Sequence, residues 1–379
     1  MINYRNDYGY YLYRGQIFDT KRKIIDEAIY HNDTSPDIKF YFHDNVFEKI
    51  DWTHEPEFSL DELYKIRAQQ LREEFDYLVL MYSGGVDSHQ TLNAFMKNNI
   101  HLDEIRSIFQ PSLAEKHSFN SDPYDPFGLL NEYISLIPWY KKIESQTKST
   151  KIIIYDFTKD LETIQFDSFL TDYYFNHATH TSMMYSQMKI FLETKKLIQD
   201  LQPLANKKVA VIYGCDKPIF TIKNNMMFGF FADTGRGGYV DCLNYKEFHS
   251  PPYKPKMFFW TPDCPLIPIK QLHIIKKAMI KSEKFKTMAC NMAPFKIREQ
   301  KVFKKIIYPD YNDNIYQSAL RPNPGEKIYT TLFPEKKLME IIKEKNKVIE
   351  ESQSILNLNN MKSKYGISVR TKNYFVGEI

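Results

Sequence analysis

The stretch Leu78 to Leu92, LVLMYSGGVDSHQTL, restricts this chain more than any other part of it. An apolar run ends at Tyr82, Ser83-Gly84-Gly85 interrupts it, and Leu92, Phe95 and Met96 then recur at helical spacing. That is strand, tight turn and helix, the opening of a parallel α/β unit. Open parallel sheets bind ligands beyond the carboxyl ends of their strands, so the turn is a candidate site by position. Gly84 and Gly85 allow close backbone approach that a Cβ would block, letting successive amides line an oxyanion while the helix N-terminus adds its dipole. Ser83 and Ser88 add hydroxyls. Asp87, repulsive toward bare phosphate, makes sense as a ligand of an accompanying Mg²⁺. An ordinary turn capped by Asp87 or Ser88 is the plain alternative.

Three more short β-branched runs follow, EIRSIF (Glu104–Phe109), KIIIYDF (Lys151–Phe157) and KKVAVIYG (Lys207–Gly214), separated by helical segments. Together they predict a doubly wound parallel sheet, in an α/β domain over 76–225. Before it, 1–75 reads as a tyrosine-rich, irregular accessory segment containing one strand, IKFYFHD, and a leading helix. Ser59 with Glu62 three residues on gives that helix a capping box. After it, 226–379 reads as a mainly helical, basic lobe that includes an amphipathic helix over Lys337–Leu356.

Hydrophobic residues make up 43% of the 379 and aromatics 15%, which excludes a disordered chain. The net charge of +4 is too small for wholesale coating of nucleic acid. Between Lys270 and Asp310, however, eleven Lys or Arg face Glu283, Glu299 and Asp310, a local excess of +8 that is a candidate polyanion surface. Solvated helix faces account for much of such a run. The four cysteines show no metal-finger spacing, which fits a reducing, cytoplasmic compartment. Neither a secretory leader nor a run near the roughly 18 apolar residues of a membrane span is evident. The aromatics of FFWTPDCP can stack a base, but at this density they are more often core. His177 and His180 are spaced to share a helix face, the commoner reading being packing and capping.

Two familiar phosphate motifs fail on spacing: GxxxxGK[ST] does not occur, and TGRGGY (Thr234–Tyr239) follows no convincing strand. The six residues Ser83-Gly84-Gly85-Val86-Asp87-Ser88 instead resemble the SGGxDS signature of the PP-loop superfamily, the N-type ATP pyrophosphatases with a HUP-like fold. The resemblance implies a loop that clasps the β- and γ-phosphates of ATP as pyrophosphate while a substrate oxygen attacks the α-phosphorus. VAVIYGCDKP then looks like the asparagine-synthetase element in which a turn after a later strand carries a metal-binding acid, so Asp216 would share Mg²⁺ with Asp87 and Lys217 would neutralise phosphate. Taken alone, this is a surface turn closed by Pro218. APFKIREQKVFKKIIYP is similar to the basic helix by which asparagine-synthetase-like domains reach the phosphates, making Lys296, Arg298, Lys301, Lys304 and Lys305 candidates, with Lys301 and Lys305 put forward as catalytic. The whole composite resembles stand-alone members often encoded by phages.

Two departures limit what is carried over. No cysteine precedes Cys215, so the resemblance carries no expectation of the glutaminase route to ammonia, and the family's GEGSDE-type motif is reduced to Gly-Cys-Asp-Lys, which does not support aspartate as substrate. Cys215 itself reads as a small buried residue rather than a sulfur carrier. The expectation is an ATP- and Mg²⁺-dependent enzyme that adenylates a small-molecule carboxylate and passes it to ammonia or an amine, in the cytoplasm, away from membranes and with room for homo-oligomers. The alternatives are a nucleobase- or tRNA-modifying relative and a non-catalytic nucleotide-binding protein.

Overall fold

Two runs in this chain are apolar at nearly every position, and they lie side by side. The computed structural model describes residues 8–33, 36–109, 137–146, 149–163, 184–214, 217–233, 248, 250–297, 300–308, 311, 362–363, 366–367 and 369–379. In it, β4 (Tyr77–Met81) and β7 (Val209–Tyr213) pair in parallel, Met81 opposite Tyr213. Leu78, Val79, Leu80, Ala210, Val211 and Ile212 are completely buried, as a strand covered on both faces requires. Each large side chain so buried contributes about 1.5–3 kcal/mol relative to exposure.

β5 (Glu104–Phe109) and β6 (Lys151–Asp156) extend the sheet beyond β4, and β10 (Lys254–Met257) extends it beyond β7. The order β10-β7-β4-β5-β6 is parallel throughout. This is an α/β architecture with a five-stranded parallel sheet. Helix α3 (Leu60–Glu74) leads into β4, and its capping box is present: Glu62 N donates to Ser59 Oγ at 3.2 Å and Ser59 N to Glu62 Oε2 at 2.7 Å. α4 (Val86–Met96) follows β4 and packs on α3. α5 (Ile137–Gln146), α6 (Thr158–Thr163) and α7 (Met184–Leu201) lie between the later strands.

The N-terminal segment is more regular than its sequence suggests. β1 (Tyr10–Tyr13), β2 (Gln16–Phe18) and β3 (Lys39–Tyr41) form an antiparallel sheet in the order β2-β1-β3, with α1 (Lys21–Tyr30) and α2 (Asp44–Phe47) beside them. Arg14 and Gly15 both have positive φ, 49° and 78°, the conformation that a two-residue hairpin turn needs.

The described part of the C-terminal lobe holds strands as well as helices. It does contain α8 (Leu266–Lys281), α9 (Glu283–Asn291), α10 (Pro294–Ile297) and α11 (Lys301–Ile307). Yet β8 (Ile219–Lys223), β9 (Met226–Phe230) and β13 (Tyr374–Glu378) form a second antiparallel sheet, and β11 (Lys362–Ser363) pairs with β12 (Gly366–Ile367). The β8–β9 turn places Asn224 and Asn225 at φ 51° and 59°, a turn chemistry that KNNM already carries. β10, past residue 225, belongs to the parallel sheet. Its Pro255 looks like a strand breaker but is tolerated because β10 is an edge strand. The predicted helix over Lys337–Leu356 lies outside the described residues.

Aromatic side chains join these parts. Trp52 stacks on Tyr374 at 4.4 Å, Phe231 meets Phe47 at 4.5 Å and Trp260 at 5.2 Å, and Phe258, Phe259 and Trp260 are buried in the core, not offered to a base. Buried Asp233 accepts from Tyr11 Oη at 2.9 Å and from Val369 N at 3.1 Å, tying the N-terminal sheet to the chain's end.

Several lysines of the basic segment are paired within the molecule. Lys270 and Lys277 converge on Glu55 at 2.8 and 2.6 Å, while Lys276 donates to Val376 O and Lys286 to Ile379 O. Burial pushes the Glu55 carboxyl up, but the hydrogen bonds and charges of the two lysines outweigh it and hold the group at about 2, against an ordinary 4.5. A carboxyl depressed by folding adds stability that is complete above its unfolded value and is lost as pH falls through the folded one. The fold is therefore expected to weaken between about pH 4.5 and 2. Acid titration followed by circular dichroism should show a shallower loss for Glu55→Gln. Among the described residues, no helix is long and apolar enough to cross a membrane.

Candidate functional site

Successive strands run outward from β4 through β5 and β6, and the chain then returns to lay β7 and β10 on β4's other side. Between β4 and β7 the winding reverses, and such a reversal opens a crevice beyond the carboxyl ends of the strands. Both turns singled out in the sequence border it, the one after Met81 and the one after Tyr213.

In the first turn, Gly84 has φ 71°, a left-handed conformation that disfavours any side chain, while Gly85 is extended and forms the N-cap of α4. A Cβ on Gly85 would lie 3.2 Å from Ser83 Oγ, projecting into the turn without striking the backbone. The hydroxyls of Ser83 and Ser88 sit 3.2 Å apart, Ser83 N donates to Ser88 Oγ at 3.3 Å, and Ser88 Oγ donates to Gly85 O at 3.0 Å. The first helical bond of α4 runs from His89 N to Gly85 O at 3.0 Å, so the amides of Val86, Asp87 and Ser88 precede any intrahelical acceptor. Those amides and the helix dipole favour an anion here.

From β7, Lys217 reaches back across the crevice. Its Nζ meets Asp87 Oδ2 at 2.5 Å, with the two side chains only 11% and 20% exposed. Pro218 is buried as well. The other carboxylate oxygen, Asp87 Oδ1, accepts from the hydroxyl of Tyr308, which is completely buried at the end of α11. Nearby, burial pushes the Tyr64 phenol up, Asp61 and Asp87 add to this, and Gln271 opposes it by donating to Tyr64 Oη at 3.0 Å. Gly214 makes the whole approach possible: a Cβ there would lie 2.6 Å from Thr91 Oγ1 and 2.7 Å from Ser88 Cα.

On the β5 side of the turn lies a buried polar network. His89 Nδ1 lies 3.1 Å from Tyr82 Oη and its ring is 4.2 Å from that of Trp139. Ser107 donates to Tyr82 O, and Tyr140, whose phenol burial pushes up, donates to Ser107. Tyr82, His89, Ser107, Tyr140 and Tyr308 were not apparent as site residues from the sequence. His89 directly follows SGGVDS, and Tyr308 closes the basic helix, so adjacency to a motif was the available signal.

The structure thus brings Ser83, Gly84, Gly85, Val86, Asp87, Ser88 and Lys217 into one place. Lys301 and Lys305 lie on an exposed face of α11 and Lys304 is buried, so the contact this segment makes with Asp87 comes from Tyr308 instead. Asp216, Cys215, His177, His180, Arg298 and the TGRGGY stretch lie outside the described residues, as does the side chain of Lys296. No cluster of three or more metal-ligating side chains occurs among the described residues. Mg²⁺ nonetheless fits this donor set. It is commonly held by one or two carboxylates with the remaining oxygens coming from phosphates and water, and Asp87 supplies one carboxylate, its Oδ2 now satisfied by an exchangeable ammonium.

The fold and crevice define an α/β protein with an anion-receptive strand–turn–helix at a topological switch point. Comparison with protein-family models, curated proteins and solved structures gives no match.

Proposed function

We propose that the chain binds ATP with its triphosphate on the Ser83–Ser88 turn and adenylates a carboxylate, releasing pyrophosphate, after which ammonia or an amine takes the acyl group as an amide. The observation that carries this reading is the position of Lys217. The SGGVDS turn contains no lysine, and a largely buried ammonium from the neighbouring strand end arrives beside it. A cradle of amides and hydroxyls flanked by one cation suits pyrophosphate as a leaving group. The resemblance of SGGVDS to the PP-loop signature points the same way. When bound, Mg²⁺ would neutralise charge on the phosphates, with Asp87 holding it. Lys217 would then turn from Asp87 to the leaving group. The internal pairing of Lys270, Lys276, Lys277 and Lys286 gives no support to a nucleic-acid acceptor held by that segment.

Two measurements test the reading. Because a Cβ at Gly85 meets a serine hydroxyl and no backbone, Gly85→Val is expected to leave the fold largely intact while filling the cradle. ATP affinity by calorimetry should fall at least tenfold, and an unchanged affinity would rule the cradle out. The second is a pyrophosphate-release screen against amino acids, nucleotides and nucleic acids with AMP and ADP resolved. With the acceptor found, oxygen-18 in its carboxylate should pass to AMP. ADP as sole product, or label in inorganic phosphate, refutes adenylation.

A further inference from the structure

Resting on the nucleotide-site reading, we infer that Tyr308 is a positioning residue that orients the Asp87 carboxylate for its metal partner. The Asp87 side chain has a donor on each oxygen, Lys217 on Oδ2 at 2.5 Å and the Tyr308 hydroxyl on Oδ1. These two donors differ in what they can do. The lysine sits on a flexible stem and carries the charge that a triphosphate would attract away. Tyr308 is fixed: its ring is completely buried, 6.3 Å from that of Phe259, and its amide caps α11 by donating to Lys304 O at 2.9 Å. α11 in turn packs on α8, and Phe303 stacks on Phe220 at 6.2 Å. Once Lys217 turns to phosphate, the Tyr308 hydroxyl still holds Oδ1, leaving the lysine-facing oxygen as the one that exchanges an ammonium for a metal. Hydrogen bonds of this kind around a ligating carboxylate commonly carry a 10–100-fold share of metal affinity.

The same contact makes α11 part of the site through its terminal tyrosine, although the two partners are 221 positions apart in the chain. A purely structural role for Tyr308 is the competing explanation, and the control is Tyr64→Phe. Tyr64 is an equally buried phenol that accepts from Gln271. Losing its hydroxyl perturbs the same core without removing a bond to Asp87.

The experiment is a Mn²⁺ titration, read by electron paramagnetic resonance, of the full chain saturated with α,β-methylene ATP, which resists cleavage between the α- and β-phosphates. Affinity of each variant for the metal-free analogue is measured first. Tyr308→Phe is expected to weaken Mn²⁺ binding roughly tenfold or more, with analogue affinity within about twofold of wild type and Tyr64→Phe unchanged in both. Equal Mn²⁺ affinity in wild type and Tyr308→Phe, or an equal loss in Tyr64→Phe, overturns the inference while leaving the nucleotide site standing. Failure of the wild-type chain to bind the analogue overturns the nucleotide site and this inference with it. Should Tyr308→Phe not fold, Phe259→Leu, which loosens the ring's packing but keeps the hydroxyl, is expected to give a smaller loss of the same kind. No loss there counts against the role.

Discussion

Lys217→Met is expected to lower ATP-dependent pyrophosphate release by about 10²-fold or more, the usual scale when one preorganised donor to developing charge is removed. Lys217 is the cation that the structure places against the turn's acid, with Nζ 2.5 Å from Asp87 Oδ2. Methionine keeps the length and apolar stem, so packing near buried Pro218 is preserved. Asp87 would keep the Tyr308 hydroxyl and, at 20% side-chain exposure, some water. The loss of stability should therefore stay well under the roughly 3–5 kcal/mol seen when a fully buried pair is broken. Lys217→Arg should recover only part of the rate, because a planar fork cannot reproduce a compact ammonium's geometry. Steady-state rates for the three proteins alongside their melting temperatures decide the matter. A rate for Lys217→Met within twofold of wild type would dismiss the lysine from the chemistry.

Gly214→Val should have the largest effect on the fold near the site. Its new Cβ would come within 2.6 Å of Thr91 Oγ1, 2.7 Å of Ser88 Cα and 2.9 Å of Asp87 O. Two of those atoms are backbone in the first turn of α4, so rotamer changes cannot relieve the clash. Either α4 moves off β7 or the end of β7 bends away. Overpacking of this kind costs about 3 kcal/mol, and more where backbone must shift. Because the displaced turn carries Asp87 and Ser88, nucleotide affinity should fall together with stability, unlike Gly85→Val, which spares stability. Denaturant unfolding and calorimetry on the two variants separate them. Equal stability of Gly214→Val and wild type would show that the two elements do not meet this closely.

The legible parts of the molecule were those written in consecutive residues. The run Leu78 to Leu80 reads as an apolar strand, and the glycines and serines after it as a turn into a helix. Ser59 and Glu62 marked the start of α3 because a capping box is a contact between neighbours. Less legible are elements whose local signal is short or reads two ways: Asn224-Asn225 makes a hairpin turn, and Pro255 sits in an edge strand where its missing amide does no harm. In the basic segment, a charge count cannot say which lysines face Glu55 or a backbone carbonyl.

By itself, then, the sequence determined the strand–turn–helix at 77–96, the α/β class and the residues of the SGGVDS turn, because periodicity and turn chemistry act within a few residues. Tertiary structure alone decided that β7 lies next to β4, which puts Lys217 on an aspartate 130 positions away, and that Tyr308 reaches the same carboxylate from 221 positions away. No local pattern encodes such meetings. Strand order follows from how whole elements pack, and a tyrosine reads as one more aromatic in the core until the fold shows where its hydroxyl ends.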